Sequence, residues 1–329
     1  MIKSVRGLYA LDTRFGTHRD AGIRDYPFVT GYAWRFSWAD FEISKDNYDF
    51  TALNYIVNEL AKRNQKLSWI LMPTLPEYLV DDSNIETWQD GQVARPSPWD
   101  EELHLRFAKF IASLAEHKII DPALNDQAVA FRDHSVLNII HPSMPGLPRG
   151  SLRDSLSTAV NEVPGYSRDK LQLLLRKNIE LMQTEFPLIP LFYSLWKIHD
   201  EQSSPSLWEA SRDTLLTYEN MGLWQDNLAA NRPCENCEPV TGLPVVEGLG
   251  EVFLNTPTTN GFQMLGSWEA PFNERHVPKL AFGKPADGID WAYRTYNASY
   301  FEIYSSDLDN PEWHDELTSW ANKLAEMDE

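Results

Sequence analysis

The chain has 329 residues, with 29 Lys+Arg against 48 Asp+Glu and a formal net charge of −19. That length supports a large buried core, either one big α/β barrel or two ordinary domains. At 43% hydrophobic and 23% charged it is a globular rather than a disordered chain, and its negative excess repels phosphate backbones, which argues against nucleic acid or an anionic membrane as partner.

Taken in chain order, short β-like runs alternate with amphipathic helical stretches. The N-terminus, Met1-Ile-Lys-Ser-Val-Arg-Gly7, lacks the apolar stretch of a signal peptide. The expectation is a cytoplasmic chain, an already processed one, or one exported by another route such as a place on a virus particle. Strands are expected over 5–11 and 29–36. Residues 51–65 put Leu53, Ile56, Val57, Leu60 and Ala61 on one helical face. A third strand, 66–72, precedes a helix over 102–118, with Asp100 where an N-cap belongs. The fourth strand, 136–141, is followed by a helix over 168–186 that carries Leu171, Leu174, Leu175, Ile179 and Met182 on one face behind Ser167 as N-cap. Then come strand 189–195, helix 208–218, strand 222–228, strand 261–266, strand 299–304 and a last helix over 311–327. Between strands six and seven, 231–259 has no clear helical pattern and is rich in Pro, Gly and Val.

Eight strands alternating with helices match an α/β fold of the (β/α)8 barrel type, a single domain over 1–329 with an elaborated loop region after strand six. A doubly wound open sheet normally leads with a glycine-rich phosphate turn, and no strand exit here carries one. No apolar run approaches the roughly 20 residues of a membrane span.

The thiol inventory is Cys234 and Cys237, in Pro- and Asn-rich surroundings. They read as a loop-stapling disulfide or idle thiols, since a structural zinc site needs four ligands and no second pair exists. The eight His show no H-x-H or H-E-x-x-H pattern, and no G-x-S-x-G elbow is present. Metal hydrolysis and Ser-His-Asp chemistry are therefore disfavoured, and no metal or cofactor is implied.

Chemistry in such barrels sits at the C-terminal ends of the strands. After strand two comes Trp34-Arg-Phe-Ser-Trp-Ala-Asp-Phe-Glu42, then Asp46-Asn-Tyr-Asp-Phe50. After strand three comes Pro73-Thr-Leu-Pro-Glu-Tyr-Leu79, and before the next helix Arg95-Pro-Ser-Pro-Trp-Asp100. With the final Tyr300-Phe-Glu-Ile-Tyr-Ser-Ser-Asp307, this series resembles the clan-A glycoside hydrolases, most of all β-galactosidase-like and cellulase-like TIM barrels. The resemblance spans the chain in order, through short and degenerate motifs. It implies hydrolysis of a sugar bond by two carboxylates, an acid/base after strand four and a nucleophile after strand seven. The two stand about 5–5.5 Å apart in retaining enzymes and about 6.5–9.5 Å apart in inverting ones.

Strand seven fits that pattern, because Gly261-Phe-Gln-Met-Leu-Gly-Ser-Trp-Glu269 places Glu269 just past the strand end. Strand four departs from it: Val136-Leu-Asn-Ile-Ile-His-Pro-Ser-Met-Pro145 has no Asn-Glu pair and no carboxylate until Asp154. The candidate catalytic carboxylates are Glu269, Asp226 and Glu302. Asp226 follows an aromatic one strand away from Glu269. Glu302 alternates with Phe301 and Ile303, so it could point into the barrel mouth as a general acid or pair there with Arg35. Glu77 reads as a rim or first-turn carboxylate and Glu42 as a structural hydrogen-bond acceptor.

Twelve Trp, 13 Tyr and 15 Phe are an unusual aromatic load, and many fall at or beyond strand ends. Sugar rings stack their C–H faces on aromatic planes, which makes Trp38, Trp99, Tyr193, Trp196, Trp224 and Trp268 candidate carbohydrate contacts, unless they fill the barrel core. Arg35, Gln225, Asn227 and Gln263 are candidate hydroxyl ligands. His141 stands where the strand-four glutamate is missing, as a proton donor or a structural histidine. The expected partner is a carbohydrate. The competing readings are a non-catalytic carbohydrate-binding barrel and, less favoured, a lyase using His141 or a Tyr as base.

Overall fold

The computed structural model describes residues 5–11, 23–148, 158–194, 207–228, 259–264 and 284–327, except for the side chains of 158, 159, 207–209, 226 and 227. Eight parallel strands close into a barrel: β1 (Gly7–Leu11), β2 (Gly31–Ser37), β3 (Lys66–Met72), β4 (Leu137–His141), β5 (Leu191–Ser194), β6 (Met221–Leu228), β7 (Thr259–Met264) and β8 (Ala298–Tyr304). Each pairs with the next along the chain, and β8 returns to β1 with Gly7 opposite Tyr300 and Tyr9 opposite Glu302. This is the (β/α)8 fold expected from the alternation of elements. β1 and β8 are buried at every position, as sheets covered on both faces require.

Helices α1 (Thr51–Lys62), α2 (Glu101–Glu116), α3 (Arg168–Glu185), α4 (Leu207–Leu215), α5 (Pro285–Tyr296) and α6 (His314–Ala325) lie between and after the strands. α1 buries Ala52, Leu53, Ile56, Val57 and Leu60, which is the expected apolar face. Both anticipated caps are formed: the Asp100 carboxylate accepts from the Leu103 N–H at 2.8 Å, and the Ser167 hydroxyl from the Lys170 N–H. Each satisfies one of the orphan donors of a helix start.

Sequence periodicity did not reveal α5, because Asp287, Gly288 and Asp290 dilute its apolar pattern. Its signals are terminal. Pro285 opens it, Asn297 closes it in the left-handed region at φ 51°, and Ala286, Ile289, Ala292 and Tyr296 are buried. Three small hairpins also escaped notice: Glu42–Ser44 with Asn47–Tyr48, Thr87–Asp90 with Val93–Pro96, and Lys118–Asp121 with Gln127–Ala130. The expected elaboration after strand six, and Cys234 and Cys237 with it, lies outside the described residues.

Register decides which side chains enter the lumen, since paired residues on parallel strands share a face. The Tyr300 ring lies 4.8 Å from Tyr9 and 5.3 Å from Phe192, centroid to centroid, and so marks the inner face. Gly261 pairs with Tyr300, Trp224 with Gly261, and Ser194 with Trp224. Two glycines make room for these rings. A Cβ on Gly261 would stand 2.6 Å from Tyr300, and one on Gly222 would stand 2.6 Å from Phe192. Among the described residues, no helix is long and apolar enough to cross a membrane.

Candidate active site

Toward the C-terminal ends of the strands the lumen becomes polar. Glu302 pairs in register with Gln263, and Arg35 and His141 both pair with Ile70 of β3. Five of the proposed site residues, Arg35, His141, Trp224, Gln263 and Glu302, therefore come together from β2, β4, β6, β7 and β8.

Two hydrogen-bonded chains cross this space. In the first, the Tyr300 hydroxyl donates to Glu302 Oε1 at 2.7 Å. The same hydroxyl lies 2.8 Å from Ser68 Oγ and 3.3 Å from His141 Nε2, and that nitrogen stands 3.4 Å from Glu302 Oε1. Glu302 and His141 are both fully buried. A buried carboxylate is tolerated where charged or polar donors meet it, and the tyrosine and histidine supply them. In the second chain, Arg35 donates to Gln263 Oε1 at 3.2 Å, and Gln263 Nε2 donates to the Tyr304 hydroxyl at 3.1 Å. Arg35 thus reaches the amide on β7, while Glu302 Oε1 meets Tyr300 of its own strand and His141 of β4.

Aromatic packing fixes the walls. Trp224 meets the His141 imidazole edge-on at 5.5 Å, and Phe192 lies 5.7 Å from it. Below, Asn138 donates to the Tyr9 hydroxyl at 2.8 Å. Burial pushes the Tyr9 phenol well above its ordinary range, with the Asn138 bond opposing it in part.

Two proposed contacts are turned away from the lumen by the two-residue period of a strand. Tyr193 faces outward and donates to Asn178 of α3 at 2.8 Å. Gln225 pairs with Phe262, whose ring packs on Tyr296 of α5, so it shares the outer face; Trp224 and Gln225 cannot both enter the barrel. Trp38 follows β2 in a short 3-10 turn and is buried against Phe107 and Phe110 of α2. Its indole N–H donates to Glu42, which also accepts from the Tyr78 hydroxyl and the Asp46 N–H. Glu42 is thus the structural acceptor its position suggested. Trp99 donates to the Pro164 carbonyl at 3.0 Å and packs beside Tyr166. Trp196, Trp268 and Glu269 lie outside the described residues, as do the side chains of Asp226 and Asn227.

The reading of strand ends missed Tyr300, Ser68 and Tyr304, although all three join the chains described above. One signal was available for Tyr300: it precedes Glu302 by two residues, so any argument that sends the carboxylate inward sends the phenol with it.

No family model matches the sequence, and no curated protein matches it. Solved structures do. A cold-adapted β-galactosidase from Rahnella sp. R3 is 9% identical at a TM-score of 0.53, over 88% of this chain and 51% of that one. An endo-1,4-β-mannanase from Rhizomucor miehei is 10% identical at a TM-score of 0.56, over 91% of this chain and 87% of that one. Xylanase 10B from Thermotoga petrophila RKU-1, solved with xylobiose, is 11% identical at a TM-score of 0.50, over 91% of this chain and 82% of that one. What these structures share with the chain is the (β/α)8 barrel fold. Identities this low speak to the fold alone, and the chain spans about half the length of the β-galactosidase it matches. In this barrel β4 ends on His141, and Pro142 follows it. Among the described residues, no group of three or more His, Cys, Asp or Glu could hold a metal ion.

Proposed function

We propose that the chain is a glycoside hydrolase-like enzyme that cleaves a glycosidic bond in a poly- or oligosaccharide with paired carboxylates, and that residues 1–329 act as one barrel domain. The observation that carries this reading is Glu302, a carboxylate in the lumen near the strand ends with a phenol and an imidazole beside it. The fold supports it, since the three neighbours are named for action on galactosides, mannan and xylan. Glu269 follows β7 by five residues and Asp226 belongs to β6, so both are proposed as carboxylates of the same mouth. Trp196, Trp224 and Trp268 are proposed as stacking surfaces for sugar rings, with Arg35, Gln263 and Asn227 as ligands for hydroxyls.

A second reading, a carbohydrate binder without turnover, is favoured by the end of β4, where no carboxylate stands. Reducing-end release from galacto-, manno- and xylo-oligosaccharides separates the two. Turnover that falls by orders of magnitude in Glu269→Gln, with unfolding unchanged, is the result expected of the enzyme. Calorimetric binding without release assigns the binder. Neither binding nor release on any of these glycans removes both readings.

A further inference from the structure

Tyr300 has one hydroxyl proton, and three polar neighbours of that hydroxyl share it. Its O–H donates to Glu302 Oε1 at 2.7 Å. Ser68 Oγ at 2.8 Å and His141 Nε2 at 3.3 Å then face only the lone pairs of the phenolic oxygen. A phenol offers one donor and accepts in return, so both neighbours must donate to it. His141 Nε2 is also 3.4 Å from Glu302 Oε1, a second acceptor and no donor when ionised. With Glu302 ionised, both contacts place a proton on the same imidazole nitrogen.

We infer that Tyr300 is a positioning residue: its hydroxyl locks His141 with the proton on Nε2 and holds Glu302 against it, so that an oriented imidazole–carboxylate pair from β4 and β8 stands where the resemblance implied a strand-four acid. The pair is set in a rigid frame. Phe192 and Trp224 contact the imidazole ring, Tyr9 packs on the Tyr300 ring, and Gly261 leaves the space that ring occupies. Tautomer and ring orientation are set by the hydrogen bonds an imidazole makes, and here the lumen makes them before any ligand arrives. Only the kinetic arm of the test rests on the carbohydrate reading.

The first arm is a long-range proton–nitrogen correlation spectrum of protein labelled with nitrogen-15 histidine. The His141 signals are identified by their loss in His141→Gln. A protonated Nε2 is expected, and Tyr300→Phe should displace those signals. A spectrum with the proton on Nδ1 alone overturns the inference, as does one unchanged in Tyr300→Phe. If Tyr300→Phe does not fold, the wild-type spectrum still decides the proton's place. Ser68→Ala, which withdraws only the hydroxyl donor, should then leave the proton on Nε2.

The second arm is kinetic, on whichever of the three glycan classes is cleaved. Loss of a hydrogen bond to a charged group predicts that Tyr300→Phe lowers kcat by about 10- to 100-fold with KM within about twofold. An unchanged kcat removes the positioning role and leaves the carbohydrate reading standing. No turnover on any glycan, together with the expected spectra, removes the hydrolase reading and leaves the positioning intact.

Discussion

Gly261→Ala tests the packing beneath the mouth. The new Cβ would sit 2.6 Å from Tyr300 Cδ1 and 3.1 Å from Phe192 Cε1. Restoring ordinary contact needs the Tyr300 ring to retreat by about 0.8 Å, a movement a close-packed interior resists. Overpacking of this kind costs about 1–3 kcal/mol. The same retreat stretches the 2.7 Å bond to Glu302, and a hydrogen bond to a charged group contributes about 1.5–3 kcal/mol. Against these, removing a strand glycine returns about 0.5–1 kcal/mol. The net expectation is a loss of about 1–4 kcal/mol. At about 2.1 cal/mol/K per residue of unfolding entropy, that corresponds to a melting point lower by roughly 1–6 °C. The assay is denaturant unfolding of Gly261→Ala, Tyr300→Val and the double variant. Tyr300→Val removes the atom that is struck, so the two substitutions should couple by at least about 1 kcal/mol. A Gly261→Ala protein as stable as the parent, or strict additivity in the cycle, refutes the argument.

Two further predictions concern the frame. At the N-terminal end of β4, the buried Asp121 accepts from the Ser135 N–H, the Ser135 hydroxyl and the Ala123 N–H. Burial opposes ionisation there, yet these donors hold the carboxyl below its usual range. A lowered folded-state pKa means that this stability is present above the unfolded value of about 3.9 and lost as pH falls through the folded one; Asp121→Asn should therefore flatten the acid limb of unfolding free energy against pH, and an unaltered limb counts against it. Asp100→Ala should cost about 1 kcal/mol or more in denaturant unfolding, because its other oxygen also accepts from the Glu86 N–H at 2.9 Å; a loss below a few tenths would show that the cap contributes nothing.

The barrel was legible in the sequence because its strands are runs of apolar and aromatic residues separated by helices with clear faces. α5 was not, since its evidence lies in a Pro at one end and an Asn at the other rather than in periodicity. The site was legible by half. Strand ends identify which segments reach the mouth, but only alternation says which side chains enter it. Trp224 and Gln263 obey that rule inward, while Tyr193 and Gln225 obey it outward. The aromatic surplus divides the same way: Trp38 and Tyr193 pack between strands and helices, and Trp224 lines the lumen. The Tyr300 junction depends on contacts among β3, β4 and β8, and no local pattern encodes a meeting of three distant strands.

The pairing of β1 with β8 sets an order of events during synthesis. Gly7 waits for Tyr300 to complete the sheet, and Tyr26 and Arg24 find Asp309 only after β8 has formed. Until then, β1 and whichever strand was made last are open edges, with hydrogen-bonding groups able to pair with other chains. Both Tyr300 and Glu302 ride on that final strand. A nascent or truncated chain that stops before it lacks the hydroxyl and the carboxylate that face His141, so this part of the lumen chemistry arrives with the closing of the wall.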